Sequence, residues 1–586
     1  MNKKDILKKI ESNEYLFIMI LSLLTFFEVE ALNGDGKFFI VGNAFFFLVN
    51  LILYFILYFL PGLFVKNLKI SSIVVMVFIN LIAWINNIVI QFRGIAFKIN
   101  DILAAKTAAN VVDMYTIKFG IFHLVWLGLF VLSLVMIFLW ANKTERKIID
   151  MKGINKIVIS AILIIGLVVV PWKIAEVGLN SFDGWYVGGY NLFFISSFSS
   201  YKIPKPSGYD ASKYSDITKV DNNSGKRPNI IVIMNESFCD YNRITNIESS
   251  EDVLPFFRKF IKEDNIIEGD AYVSIFGGMT PNSEMEFLTG STLGFWGYQN
   301  VCYSMGYRKK LDILPEWLKQ IGYDTYAMHP ASGDNYGRKI VYRYMDFNNI
   351  WFYDEFINAG AKTVHFDDSA YFLHEIVPDS ENYRIINEEI EKNDKPVFIF
   401  NTTIQNHGGY DWRGYDDVKL LTKVNSKKLE TEMNEYLTLI SDSDKALEEF
   451  IGELRESKED TIVLFFGDHQ PILTKEMVDD GSAKIDLVDY YRVPYFIWAN
   501  FEIEEKHDVN TSLNYLQNTV LKQAQIGLLN EFQKHLDAVE EKYPIFCVAH
   551  TEDSNGNVCN FNDLMKNDDM IKEYYRQAYH IIYDAE

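Results

Sequence analysis

Residues 461–471 read Thr-Ile-Val-Leu-Phe-Phe-Gly-Asp-His-Gln-Pro. A short apolar run closed by glycine, then an acid and a histidine, predicts a buried strand with reactive side chains at its end. Three other runs have the same form. Asn229–Met234 ends in Asn235-Glu236-Ser237, Asp324–Met328 ends in His329, and Val397–Asn401 leads through Thr402 and Thr403 to His407. Helical segments lie between them, such as Leu311–Gln320 and Asn425–Glu456. Strands alternating with helices predict an α/β domain with a mainly parallel central sheet and helices on both faces. Ligands of such sheets sit beyond the carboxyl ends of the strands. Glu236, His329, His407, Asp468 and His469 all fall there.

Upstream the character of the chain changes. Up to about residue 178 it is dominated by Phe, Ile, Leu and Val, and five stretches approach the ~20 apolar residues that span a bilayer. They are Tyr15–Leu32, Phe39–Val65, Ser72–Gln91, Phe119–Trp140 and Lys156–Val177. The second is long, with a break expected near Pro61. The first carries Glu28 and Glu30 and no small-x-small site follows it, which argues against a cleaved signal peptide. Eleven basic residues, among them Lys3, Lys4, Lys66, Lys69, Arg146 and Lys147, fall on the side of the N-terminus. Five fall opposite: Lys37, Arg93, Lys98, Lys106 and Lys118. The positive-inside rule then puts the N-terminus in the cytoplasm and everything after the fifth crossing outside. The expected organisation is a transmembrane domain over 1–178, a Ser-, Gly- and Tyr-rich surface linker over 179–215, and an extracellular catalytic domain over 216–586.

The formal net charge of −22 over 586 residues argues against a nucleic-acid partner. The four cysteines, Cys239, Cys302, Cys547 and Cys559, form no zinc-type pair. Cys547 and Cys559 flank a polar stretch that suits a surface disulfide, and free thiols are the plainer expectation.

The remaining candidates each have a structural explanation beside the chemical one. Glu236 caps a following helix or ligates a metal. In Gly277-Gly278-Met279-Thr280-Pro281-Asn282-Ser283-Glu284, Thr280 stands at an N-cap position with Pro281 first in the helix. A plain cap explains it. The same helix N-terminus, with its partial positive charge, would also favour a threonine alkoxide and a phosphate. A threonine hydroxyl needs a base or metal to become a nucleophile. Asp468 and His469, with Glu236 and Thr280, make a mixed oxygen and nitrogen set suited to Mn²⁺ or Mg²⁺, and to Zn²⁺ as a further option. His407 is flanked by Gly408 and Gly409, which allow close approach to a ligand. His329 and Arg338 are joined by a glycine-containing loop, and a guanidinium suits phosphate because it binds two oxygens at once.

Taken together, these stretches resemble the lipoteichoic-acid-synthase type of membrane phosphoglycerol transferase, within the sulfatase/alkaline-phosphatase-like superfamily. The motifs that carry the resemblance are IMNESF (233–238), GGMTPNSEMEFLTG (277–290), NTTIQNHGGY (401–410), FFGDHQP (465–471) and VPYFIWAN (493–500). The loop FRGIAFKINDIL, with Arg93 and Asp101, and the tail 511–536 are similar to the family's as well. The resemblance implies five membrane helices and an outer sulfatase-like domain. It implies one divalent metal on Glu236, Thr280, Asp468 and His469. Thr280 would attack phosphatidylglycerol, release diacylglycerol and pass glycerophosphate to a glycerol- or sugar-terminated acceptor. His329, Arg338 and His407 would hold the donor's headgroup, with His407 also moving a proton.

The chain departs from the family pattern in the headgroup pocket. Tyr336-Gly337 stands where Trp-Asn usually precedes the arginine, and Tyr336 keeps the capacity to stack. Ala331 stands where an aspartate can occur, with Asp334 the nearest substitute. Thr280-Pro281-Asn282-Ser283 does not offer the nucleophile motif of formylglycine sulfatases, which disfavours sulfate-ester hydrolysis. The alternatives are transfer of phosphoethanolamine or phosphoglycerol to another glycan, a phosphodiesterase, and a catalytically inactive surface binding protein.

Overall fold

In the computed structural model the described residues are 13–93, 96–104, 119–141, 153–174, 184–197, 203, 205–221, 225–245, 249–296, 301–304, 310–366, 374–410 and 424–584. The chain divides into two compact units. One comprises Met1–Ile102 and Ile117–Lys202, the other Leu103–Thr116 and Ile203–Glu586.

The first unit is built on helices α1 (Glu14–Leu32), α2 (Ala44–Gly62), α3 (Leu68–Arg93), α4 (Ile121–Trp140) and α5 (Gly153–Ile174). The first four are long and apolar enough to cross a membrane. In α5, 22 residues long, the described apolar stretch is Gly153–Leu167. The second expected span breaks elsewhere than at Pro61. A four-residue helix, Phe38–Val41, ends at Gly42, where a Cβ would meet the Phe38 carbonyl oxygen at 2.4 Å. Asn43 then caps α2 by accepting from the Phe45 N–H at 2.8 Å. Pro61 sits in the last turn of α2, where the helix is ending anyway.

Glu28 and Glu30 of α1 are buried and bonded, as acids among membrane helices must be. Glu28 accepts from Asn80 Nδ2 at 2.7 Å and from Ser133 Oγ. Glu30 accepts from Asn33 Nδ2 and from the Tyr190 N–H, both at 2.8 Å. The second of these bonds alters the expected linker. Residues 184–197 hold two short helices whose Trp185, Tyr190 and Phe193 are buried in this unit. Lys3, Lys4, Lys8, Lys9, Lys106, Lys118, Lys143, Arg146, Lys147 and Lys152 lie outside the described residues.

The second unit contains an eight-stranded sheet. Its strands are β1 (Asn229–Asn235), β2 (Ile266–Tyr272), β3 (Asp324–Met328), β4 (Asn349–Trp351), β5 (Val397–Thr402), β6 (Thr461–Gly467), β7 (Arg492–Ala499) and β8 (Thr511–Ser512). Their order is β8-β2-β7-β6-β1-β5-β3-β4. Every pairing is parallel except those of β7, which runs against both β2 and β6. Sequence periodicity did not assign β2, β4, β7 or β8: β2 carries Glu268, Gly269 and Asp270 inside its run, β4 and β8 are three and two residues long, and Pro494 argues against an interior strand at β7. β1, β5 and β6 are buried along their whole length, as strands covered on both faces must be. Phe465 and Phe496 stack across the β6–β7 pair with centroids 5.3 Å apart. Phe238 meets Phe465 edge-on at 4.9 Å. Rings so arranged contribute about 0.5–1.5 kcal/mol each beyond their buried area.

The register puts the functional strand ends level. Asn235 pairs with Gly467 and Met234 with Thr402, while Met328 pairs with Asn401. All four cysteines are free thiols. Gly467 is the residue on which two of these ends meet. A Cβ there would stand 2.3 Å from the Phe238 carbonyl oxygen. Gly467→Ala is therefore expected to lower the unfolding free energy by about 1–3 kcal/mol through overpacking, read from denaturant unfolding of the full chain in detergent micelles.

Candidate active site

Glu236 follows β1, and Asp468 and His469 follow β6. Their ligand atoms lie within 4.8 Å of one another and all three residues are buried. Each is held from behind. The Glu236 N–H donates to Thr403 Oγ1 at 3.0 Å, and Glu236 Oε1 accepts from Ser237 Oγ at 3.1 Å. Asp468 Oδ1 accepts from the N–H groups of Ser237 at 2.7 Å and His469 at 2.8 Å. His469 Nδ1 lies 3.0 Å from the Gln470 carbonyl, which only accepts, so Nδ1 carries the hydrogen and Nε2 presents a lone pair.

What remains is an inward-facing pair of atoms without partners. Asp468 Oδ2 and His469 Nε2 are buried with no hydrogen bond, 3.1 Å apart. Glu236 Oε1 is 3.6 Å from the same Nε2. Burial, then the neighbouring Asp468 charge, pushes the Glu236 carboxyl well above the carboxylate range. Burial also raises Asp468, against the opposing pull of His469. Two acids and an imidazole lone pair, buried and converging, fit a divalent cation, which would restore both acids to their charged form.

Thr280 completes the set and corrects one expectation. It has helical angles (φ −35°, ψ −42°) and its side chain makes no capping bond. Its Oγ1 instead donates to Glu236 Oε2 at 3.4 Å. The approach to it is strained: Gly277 and Met279 have φ near +68° and +67°, with Gly278 at +146° between them. A non-glycine residue at positive φ costs of order 1–3 kcal/mol, so the surrounding contacts must hold Met279 there. Two bonds tie this loop to the other strand end. The Gly277 N–H donates to the Gln470 carbonyl at 3.0 Å, and Ser283 Oγ donates to the Asp468 carbonyl at 2.7 Å. The helix that follows, α6 (Pro281–Thr289), is wholly buried.

The second group of candidates lies at the ends of β3 and β5. His329 Nδ1–H donates to the Thr402 carbonyl at 2.9 Å, and His329 Nε2 is buried without a partner. Burial first, then the Arg338 charge, drives its pKa well down, so the ring is neutral; His407 adds a smaller push. Arg338 opens α7 (Arg338–Tyr344) and is buried. Its Nε and Nη2 donate to Glu284 Oε1 at 2.8 and 2.6 Å. Glu284 Oε2 accepts from the hydroxyls of Tyr303 and Tyr342 at 2.6 and 2.8 Å. Burial would lower the guanidinium pKa, and Glu284 more than reverses that. The Arg338 guanidinium carbon lies 5.3 Å from the Tyr336 ring centroid, so Tyr336 does stack. Tyr336 and Gly337 both have positive φ, 56° and 71°. Asp334, the suggested substitute for an aspartate at 331, is exposed.

His407 is half-buried in the loop after β5, with its N–H bonded to the Ile404 carbonyl at 3.0 Å. Arg93 belongs to α3 and Asp101 is buried in the same unit, bonded to the Lys98 N–H at 2.7 Å. Sequence reasoning passed over Glu284, Ser283 and Thr403. All three stood inside the quoted motifs, and no local pattern distinguishes an arginine's counter-ion from a surface acid.

The sulfatase family matches residues 228–526, just over half of the chain. Among curated proteins, the chain is 26% identical over 353 residues to a putative cyclic beta-1,2-glucan modification protein of Rhizobium meliloti, covering 57% of this chain and 52% of that one. It is 23% identical over 347 residues to an uncharacterized protein of Haemophilus influenzae, covering 57% and 61%. The matched part thus spans a little over half the length of these relatives. Among solved structures, the Streptococcus pyogenes phosphoglycerol transferase GacH superposes with TM-score 0.51 at 22% identity, over 65% of this chain and 95% of that one. The Neisseria meningitidis lipooligosaccharide phosphoethanolamine transferase EptA, an integral membrane protein, superposes with TM-score 0.54 at 14% identity, over 87% and 95%. At these identities the likeness is one of fold, and the EptA match extends it to the helical unit as well as the sheet. With apolar helices ahead of a mainly parallel sheet whose strand ends converge on a metal-type cluster, this chain belongs to the sulfatase family.

Proposed function

We propose that this protein transfers glycerophosphate from phosphatidylglycerol to a cell-surface glycopolymer or glycolipid, through a covalent intermediate on Thr280. The observation that carries the reading is the Thr280 hydroxyl. It does not cap its helix, a strained loop aims it at Glu236, and it acts on the Asp468 carboxyl as well. Glu236, Thr280, Asp468 and His469 would hold one divalent ion, Mn²⁺ or Mg²⁺, with Zn²⁺ an option on the same donors. When bound, the ion supplies positive charge at the phosphoryl and threonine oxygens.

The protein's own groups do the rest. Thr280 Oγ forms a bond to the donor phosphorus, and the bond from phosphorus to the diacylglycerol oxygen breaks. The threonine hydroxyl loses its proton and diacylglycerol leaves with one, carried by His407. An acceptor hydroxyl then attacks the same phosphorus, its proton leaves by the same route, and Thr280 is released. Arg338 and the neutral His329 would bind phosphate and glycerol oxygens of the headgroup, with Tyr336 closing one side by stacking on Arg338. The fold neighbour GacH was solved with sn-glycerol-1-phosphate, which supports a glycerophosphate donor. The relative described as a glucan modification protein favours a glycan acceptor. Phosphoethanolamine transfer is the second reading, favoured by the EptA likeness across both units. The excess of basic residues flanking the N-terminus supports a cytoplasmic N-terminus and an outer catalytic domain beside its lipid donor.

Intact-mass spectrometry after incubation with phosphatidylglycerol should find a glycerophosphate adduct on Thr280. Thr280→Ala should abolish the adduct and diacylglycerol release with little change in stability, because no capping bond is lost. Continued lipid turnover by that variant would sink the nucleophile assignment. Chelation by EDTA should lower diacylglycerol release by at least ~100-fold, the scale of several kcal/mol of charge stabilisation, and added Mn²⁺ should restore it. Activity surviving exhaustive chelation would contradict the metal reading. Arg338→Ala should raise KM for the lipid and also cost about 3–5 kcal/mol, since Glu284 is left buried and unpaired. The pair Arg338→Met with Glu284→Gln should recover most of that stability while KM stays high. Recovery of both together would argue that Arg338 acts on stability alone.

A further inference from the structure

Behind the cluster lies a buried carboxylate that the reaction above does not use. Asp379 begins α8 (Asp379–Lys392) and is fully buried. Its Oδ2 accepts from Asn235 Nδ2 at 2.8 Å and from Ser443 Oγ at 2.6 Å. Ser443 belongs to α9 (Lys427–Glu456). Asn406 Nδ2 donates to Asn235 Oδ1 at 2.8 Å and to Ser443 Oγ at 2.9 Å, closing a ring of four side chains. The Asp379 N–H donates to Gln405 Oε1 at 2.9 Å. One turn further along α8, Asn382 exchanges two amide bonds with Asn401, at 2.8 and 3.0 Å, and Asn401 also donates to the Met328 carbonyl at 3.2 Å.

The positions of these partners give the network its meaning. Asn235 immediately precedes Glu236, Asn406 immediately precedes His407, and Met328 immediately precedes His329. Strands β1 and β3 end here at their last ladder pairs, Asn235 with Gly467 and Met328 with Asn401, whereas the β5 ladder stops at Thr402, so that no strand pairing fixes Asn406. A charged acceptor makes bonds about twice as strong as a neutral one. Burying it is costly unless it is well bonded, and Asp379 Oδ1 has no hydrogen-bond partner. A carboxylate kept at that cost, bonded directly to Asn235 and through Ser443 to Asn406, is placed to fix where the next residues, Glu236 and His407, stand.

We propose that Asp379 is a positioning residue, whose buried carboxylate locks Asn235 and, through Ser443, Asn406, and thereby sets Glu236 and His407 relative to each other. The inference rests on the reading of Glu236 as a metal ligand and His407 as a proton carrier. Three measurements on the full chain in detergent micelles test it, comparing wild type with Asp379→Ala and with Asp379→Asn, which keeps the volume and one acceptor oxygen. Support from a supporting shell typically changes metal affinity or activity by 10–100-fold. In Asp379→Ala, Mn²⁺ should bind about tenfold more weakly by calorimetric titration. The kcat on phosphatidylglycerol should fall about 10–100-fold with KM within about twofold. Asp379→Asn should recover a large part of both. Hydrogen–deuterium exchange should quicken at Asn235–Phe238 and Thr403–Gly408 and stay slow at Ile231–Ile233 in the middle of the sheet. Wild-type Mn²⁺ affinity and turnover in Asp379→Ala would overturn the proposal. So would exchange that rises evenly across the sheet with no recovery in Asp379→Asn. Failure of the wild type to bind Mn²⁺ would instead overturn the metal reading, and the local exchange pattern would still decide whether Asp379 holds the two strand ends.

Discussion

Two carboxylates buried side by side are the constraint around which the second unit is built. Glu236 and Asp468 sit at the ends of adjacent parallel strands, with His469 between them and almost no exposure to water. Left alone such a pair repels, and burial deepens the penalty. The protein meets part of it by bonding the outer oxygens to backbone N–H groups and to Ser237. It leaves Asp468 Oδ2 and His469 Nε2 bare. A site so arranged fits a divalent cation, whose binding would couple the protonation of these acids to the fold.

That arrangement depends on parallel register. A parallel sheet brings the carboxyl ends of sequence-distant strands to one edge. Neighbours there come from distant parts of the sequence: Glu236 bonds Thr403 across 167 residues and Ser237 bonds Asp468 across 231. Helix α6 is locked against the same edge by Ser283 and by the Gly277 N–H. Thr280 is therefore aimed by long-range contacts at the expense of a strained Met279. Arg338 is treated in the same way. The Glu284 carboxylate, itself bonded by two tyrosines, holds it in a buried pose. The guanidinium is thus held in one orientation by this chain's own side chains.

The helical unit follows a similar rule in a different solvent. Acids on an apolar helix are tolerated only when bonded. Glu28 and Glu30 use Asn80, Ser133, Asn33 and the Tyr190 backbone, which draws residues 184–197 into the helical unit. A composition rich in serine, glycine and tyrosine suggests a surface linker there. The aromatic side chains within it, Trp185 and Tyr190, find a buried place that composition does not disclose.

The sequence by itself determined the elements whose signal is local. The four strands ending in Glu236, His329, Thr402 and Asp468 were legible within a residue or two, because a buried parallel strand is a continuous apolar run. The membrane helices were legible by length and hydropathy for the same reason. Glu236, Asp468 and His469 stood out because polar side chains cluster where such runs stop. Tertiary structure decided the rest. Thr280's own residues fitted an N-cap as well as a nucleophile, and only the fold shows its partner, 44 residues away. Glu284 could not be told from a surface acid until Arg338, 54 residues on, was placed against it. The antiparallel β7 and the ring around Asp379 were equally hidden. Each of these is a pairing between distant segments, and a pattern read along the chain carries no term for the distance between side chains in space.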